Sequence, residues 1–182
     1  MHEDVSGALT GCIASLRRYA MALCRNPDEA DDLVQETLKR ALVYIRDGRQ
    51  IRDLRAYLFT VLHNVRVDDA MRASRNGHAI PIEAVADELS SAAGQHARHE
   101  FRDFTRALHR LPDEQRTVVL LVGLEGLSYR AVSQVLGIPA GTVMSRLCRG
   151  RRALRRLMDG DNPVIDARHA GEAPLPAVQD NA

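Results

Sequence analysis

The chain has 182 residues, 45% of them hydrophobic and 27% charged, enough apolar material for the core of one ordinary domain or two small ones. Its longest apolar runs, such as residues 118–122, are too short to cross a bilayer, and its first residues lack a basic start followed by an apolar segment. A cytoplasmic protein without membrane insertion is therefore expected. The formal net charge is only +1, and the three cysteines (Cys12, Cys24, Cys148) are widely spaced without a CxxC pair. That pattern predicts neither a disulfide framework nor a zinc site, but small buried or half-buried thiols in a reducing compartment. The seven histidines show no HExxH spacing, so no metal and no cofactor are expected.

In chain order, an N-terminal helix is predicted over roughly residues 6–24. Asn26-Pro27-Asp28 then supplies a stop followed by a start with proline and an acidic first turn. The next helix carries one apolar stripe, Ala30, Leu33, Val34, Thr37, Leu38, Ala41, Leu42 and Ile45. After the polar segment 47–50, Asp53 is placed to cap a third helix with the stripe Leu54, Tyr57, Leu58, Val61, Leu62 and Val65. These make a three-helix unit ending near Arg75. Residues 76–98 break into Gly77, Pro81, Ser90-Ser91 and Gly94, the composition of a tether. Helical spacing resumes at Phe101, Phe104, Thr105 and Leu108, pauses at Leu111-Pro112, and continues through residues 118–121. Beyond Gly160 the chain carries Pro163, Pro174 and Pro176 in a polar, Ala-rich context and reads as a frayed tail.

Residues 128–158 read as a helix-turn-helix. Ser128 is a good N-cap, Ala131, Val132, Val135 and Leu136 form a short stripe, and Gly137 permits a left-handed exit. After Ile138-Pro139 a second helix buries Val143, Leu147, Gly150, Leu154 and Leu157 and presents Thr142, Ser145, Arg146, Arg149, Arg152 and Arg156 on the other side. From residue 126 to 158 there is no acid, yet seven arginines fall there. A merely solvated helix usually mixes signs, so this face suits the major groove and flanking phosphates.

Specific motifs carry a family likeness. The segments Leu111-Pro112-Asp113-Glu114-Gln115-Arg116, Glu125-Gly126-Leu127-Ser128-Tyr129, Leu136-Gly137-Ile138-Pro139 and residues 141–147 resemble the promoter-binding C-terminal domain of extracytoplasmic-function sigma factors. Residues 31–37 resemble that family's polymerase-clamp-binding helix. Arg55-Ala56-Tyr57-Leu58-Phe59 with Asn64, Asp68 and Arg72 resembles its promoter-melting helix. The likeness spans roughly residues 8–75 and 101–158, in order and with the right gap.

The resemblance implies an all-α chain of two small helical domains joined by a flexible linker. Residues 1–75 would be sigma region 2, residues 76–98 the linker, residues 99–160 a helix-turn-helix sigma region 4, and residues 161–182 a flexible tail. It further implies a non-enzymatic subunit that binds core RNA polymerase at its clamp and flap, recognises promoter DNA, takes no small-molecule substrate and is restrained by an anti-sigma factor. Asp31, Asp32, Leu33, Gln35 and Glu36 would face the polymerase. Arg46, Arg49, Arg52, His63, Asn64, Arg66 and Arg72 would grip the melting region, and Thr142, Ser145, Arg146, Cys148 and Arg149 would meet the upstream element.

The chain departs from the family pattern at Met144, where many relatives carry a basic residue, at Ala131 and Ser133, at Tyr57 in place of a common Trp, and at His63. Two other classes compete. A sigma mimic that only sequesters an anti-sigma factor would not need the cationic segment 141–152. A free-standing dimeric helix-turn-helix repressor would leave residues 31–37 and 57–72 without a task. No nucleophile-base pair, metal cluster or phosphate-binding glycine loop can be assembled for an enzyme.

Overall fold

A computed structural model describes residues 2–24, 26–75 and 95–159, and within them the secondary structure is entirely helical. The expectations of a linker over most of residues 76–98 and of a tail after residue 160 lie outside the described residues. Three helices build the N-terminal half, α1 (His2–Leu23), α2 (Pro27–Arg46) and α3 (Leu54–Arg75). The C-terminal half consists of α4 (Gln95–Arg110), α5 (Asp113–Val119), a π turn (Leu120–Leu124), α6 (Tyr129–Leu136) and α7 (Ala140–Met158).

The helix boundaries follow from local chemistry. The Asn26 side chain accepts from the Asp28 N–H at 2.9 Å, with Pro27 at the first helical position, where a missing N–H costs nothing. The Asp53 carboxylate accepts from the Ala56 N–H at 2.9 Å and starts α3. Ser128 caps α6 through the Ala131 N–H, and Gly137 ends it at φ 64°, a backbone state that disfavours any Cβ.

Apolar faces then set the packing. On α2, Ala30, Leu33, Val34, Thr37 and Ala41 are buried, and the Thr37 hydroxyl satisfies itself by donating to the Leu33 carbonyl at 2.7 Å. Leu42 departs from the predicted stripe and is 55% exposed, because the core-facing arc of α2 is narrower than the eight-residue pattern suggests. On α3, Leu58, Leu62 and Val65 are buried as predicted; Phe59, outside the stripe, is buried too, edge-on to Tyr19 with ring centroids 5.3 Å apart. Cys24 is buried and Cys12 half-buried, whereas Cys148 is exposed on α7, against the expectation for all three. Burial pushes the Cys24 thiol up to about 12, so it stays protonated and inert.

The two halves are packed together. Helix α3 lies against α6, α1 against the π turn, and buried side chains of both halves form one apolar cluster. Across this seam Arg66 of α3 meets Asp113 of α5 at 2.7 Å, and Asp113 also pairs with Arg116. Burial pushes the Asp113 carboxyl up, but the hydrogen bonds and charges of Arg66 and Arg116 outweigh it and leave it below the usual carboxylate range.

Within the C-terminal half, α7 lies against α5 at Gly150. A Cβ there would stand 2.7 Å from Val119 Cγ2 and 3.3–3.4 Å from Gln115 Cβ and its carbonyl oxygen. Gly150→Ala is therefore expected to lower stability by about 1–3 kcal/mol, although alanine is the better helix former. Denaturant melts of the two proteins check this, and an equal or higher midpoint for the alanine variant would contradict the close approach.

His63 supplies a pH dependence. Burial, then the charge of Arg66, lowers its pKa below the ordinary 6.5, only partly opposed by Asp113. A depressed folded value means that the unfolded chain binds the proton more readily, so this contribution is fully present above about 6.5 and is lost as pH falls through the folded value. Unfolding free energy should decline below about pH 6.5, and His63→Gln should flatten the decline in urea titrations at several pH values.

Candidate nucleic-acid interface

Helix α7 is anchored by Val143, Leu147 and Gly150, all buried, with Leu154 and Leu157 half-buried behind them. Its first turns therefore project in a fixed direction. Ser145, Cys148 and Arg149 are exposed and Thr142 is half-buried. The Ser145 hydroxyl donates to the Thr142 carbonyl at 3.0 Å, and Arg149 Nε donates to the Ser145 carbonyl at 3.3 Å. These bonds line the guanidinium along the helix beside the serine, where both can meet base edges in a groove. Arg146 differs from the rest: it is half-buried and pairs with Glu114 of α5 at 2.7 Å. It thereby ties the reading helix to α5. Met144 is 51% exposed in the same helix, an apolar side chain beside the exposed Ser145.

A second surface lies on α2 and α3. Tyr44 and Tyr57 stack in a tilted pair, centroids 4.9 Å apart, and the Arg49 guanidinium sits over Tyr44 at 4.9 Å. Together with Lys39, Arg40 and Asn64 they line a cleft of about 420 Å³. Aromatic faces, cations and an amide around one concavity are what an unstacked base and its phosphates require. Of the seven residues expected at the melting region, this cleft gathers Arg49 and Asn64. Arg46 and Arg52 are exposed to either side of it in sequence, and Arg72 is exposed further along α3 and pairs with Asp69 at 3.2 Å. Tyr44 and Tyr57 complete the group; the sequence signal for them was two aromatics flanking a basic loop.

His63 and Arg66 fall elsewhere. Both are half-buried on the side of α3 turned to the C-terminal half, where Arg66 meets Asp113 and His63 Nδ1 has no hydrogen-bond partner among the described residues. Residues one and two positions from Asn64 point away from it because each step around a helix turns about 100°.

On α2, Asp32 and Gln35 are exposed, while Asp31 is held by Arg17 at 2.9 Å and Glu36 by Arg40 at 2.9 Å. The hydrogen bond from Arg40 holds the Glu36 carboxyl below its usual range, so the face stays anionic. Leu33 is a correction to the expected polymerase-facing group: at 5% exposure it belongs to the core and supports this surface from beneath. Among the described residues no cluster of His, Cys, Asp and Glu could hold a metal ion, and no helix is long and apolar enough to cross a membrane.

Glu125 was not singled out as a site residue from the sequence. The Glu125 N–H donates to the Leu120 carbonyl at 3.0 Å, five residues back, and this widened turn aims the side chain at the N-terminal half. There the carboxylate, with no exposed surface, accepts from Arg18 at 2.9 and 3.1 Å, from Arg55 at 3.0 Å and from the Ser15 hydroxyl. Arg55 also donates to the Glu125 carbonyl at 2.7 Å.

Comparison with known proteins agrees with this geometry. Residues 101–154 match the family described as Sigma-70, region 4, and residues 9–63 match the Sigma2 domain of PhyR. The chain is 39% identical over 158 residues to the ECF RNA polymerase sigma factor EcfG of Rhodopseudomonas palustris, covering 87% of this chain and 84% of that one. It is 30% identical over 142 residues to the ECF RNA polymerase sigma factor SigW of Bacillus subtilis, covering 72% and 76%. Among solved structures, the sigma factor RpoE of Bartonella quintana, in complex with the anti-sigma factor NepR, is similar with a TM-score of 0.74 at 30% identity, over 88% of this chain and 99% of that one. By its two surfaces, its helix order and these likenesses, the chain belongs to the extracytoplasmic-function RNA polymerase sigma factors, a family of transcription regulators and not of enzymes.

Proposed function

We propose that the chain works in the cytoplasm as an alternative sigma factor with a divided task. Residues 1–75 dock on the clamp of core RNA polymerase through Asp31, Asp32, Gln35 and Glu36 and hold the opened upstream edge of the bubble. Residues 99–160 contact the flap and read the upstream promoter element as double helix. The observation that carries this reading is the pairing of two unlike DNA surfaces in one chain. One is the anchored, acid-free helix α7 with exposed Ser145 and Arg149; the other is the aromatic, cationic cleft of Tyr44, Tyr57, Arg49 and Asn64. A helix face suits a groove, and a stacking cleft suits a base removed from its stack.

Within this reading Ser145, Cys148 and Arg149 face bases, and Thr142 and Arg146 lie nearer the backbone. Arg46, Arg49, Arg52 and Arg72 follow the single strand, whose flipped base enters the cleft beside Asn64. A sequestering mimic would gain nothing from either surface. The similar Bartonella quintana sigma factor is bound to an anti-sigma factor, and the present chain is assigned the same kind of restraint.

The test is run-off transcription with purified core polymerase and a library of host genomic fragments. Discrete transcripts that require the chain are expected. Arg149→Ala should lower them about tenfold, the order of one lost base-pair contact, and adding Ser145→Ala should lower them further. A folded chain that neither binds core polymerase nor directs any transcript would contradict the proposal.

A further inference from the structure

The outward arc of α7 carries more than its arginines. Over its first turns the exposed residues are Gly141, Met144, Ser145, Cys148 and Arg149. Each residue turns the helix by about 100°, so positions four apart stand in one row. Ser145 and Arg149 make a polar row, in which the guanidinium lies along the serine. Met144 and Cys148 make a second row beside it, with no charge and no strong hydrogen-bond donor or acceptor. Gly141 stands at the head of both rows with nothing within 4 Å of the place a Cβ would take, so a duplex can approach the start of the helix closely.

An apolar row on a groove-reading helix has one complement among the four bases. Only thymine presents a methyl group to the major groove, whereas the others are distinguished there by hydrogen-bonding nitrogen and oxygen atoms. Methionine laid over a polar base edge takes water from it and returns no bond. Laid over the thymine methyl, its flexible thioether removes two apolar groups from water together. The rest of α7 supports this use. Val143 and Leu147 are buried and fix the direction in which Met144 and Cys148 project. Arg151, Arg152, Arg155 and Arg156 are exposed further along the helix and supply charge for phosphates, so Met144 is not needed for general attraction to DNA.

We propose that Met144, with Cys148 behind it, is a specificity-determining residue that reads the C5 methyl of a thymine in the upstream promoter element. Ser145 and Arg149 discriminate by hydrogen bonds, and the neighbouring row discriminates by apolar contact. This proposal rests on the sigma-factor reading above and names one base that the reading leaves open.

The experiment is a cycle between side chain and base, using the full-length chain with core polymerase. On a promoter the chain uses, each thymine of the upstream element, on either strand, is replaced singly by deoxyuridine. That base lacks the methyl and keeps the base pair and every hydrogen-bonding group. Nuclease protection reads the half-maximal protein concentration for the wild type, Met144→Ala and Arg149→Ala. For the wild type, one such replacement is expected to raise it about three- to fivefold, the order of one methyl group lost from an apolar contact. Met144→Ala is expected to lose a similar factor on thymine and then to be indifferent to that replacement, which separates direct contact from an effect of the methyl on the duplex itself. Arg149→Ala should bind more weakly yet keep the full methyl effect. Met144 is exposed and alanine is the better helix former, so the variant folds, as circular dichroism checks. A wild type with no methyl-sensitive position, or an equal methyl effect in Met144→Ala, overturns the proposal and leaves the sigma-factor reading standing. A wild type that gives neither protection nor transcript with core polymerase contradicts that reading and the proposal with it.

Discussion

A carboxylate removed from water must be met by charge and hydrogen bonds, and Glu125 meets that demand entirely from the other half of the chain. Removing one partner from a buried pair typically costs about 3–5 kcal/mol; here that figure is an upper bound, because both guanidiniums remain 40–48% exposed and partly screened. The contact fixes more than its own four side chains. It orders the turn between the π segment and α6, and Ser128 in that turn caps the first helix of the reading pair. The Glu125 contact and the helix-turn-helix are thus joined by the four residues 125–128.

From that junction the direction of α7 follows by short steps. Gly137 reverses the chain in a left-handed conformation, and Ser133 secures the reversal by donating to the Ile138 carbonyl at 2.5 Å. Gly150 then lets α7 close on α5, and Arg146 to Glu114 adds a tie on the solvent side. What remains free to project is Ser145 with Arg149. On the N-terminal half the same economy holds: α2 and α3 bury their apolar faces, and the loop between them carries Arg49 onto Tyr44 at the mouth of the cleft. Preorganised donors on rigid helices favour a defined partner because little side-chain freedom is left to lose on binding.

Much of this was legible before any coordinates, for local reasons. Asn26, Asp53, Ser128 and Gly137 act on backbone groups within a few residues, so their roles show in the sequence. The stripe of Val143, Leu147 and Gly150 repeats at the helical period and is equally plain. What stayed hidden depends on the packing of distant segments. An acid followed by glycine in a turn reads as exposed, and only the packing of α1 and α3 buries Glu125. The π turn left no trace because the apolar run through residues 118–122 suits an ordinary helix equally well. His63 and Arg66 read as strand-gripping residues along with Asn64, since spacing on one helix cannot tell which side a second domain will cover. A broad stripe suggests that Leu33 and Leu42 are both buried, yet only Leu33 is sealed in the core while Leu42 faces water.

The central claim is that one chain reads duplex with α7 and holds an opened strand with the α2–α3 cleft. The most direct measurement is paired footprinting of the chain with core polymerase on a responsive promoter, using nuclease protection for the upstream element and permanganate reactivity for unpaired thymines. The account predicts that Arg149→Ala weakens upstream protection about tenfold, whereas Asn64→Ala retains that protection and loses permanganate reactivity at the bubble edge. If both variants instead lose both signals equally, or neither loses either, the division of labour between the two surfaces is wrong.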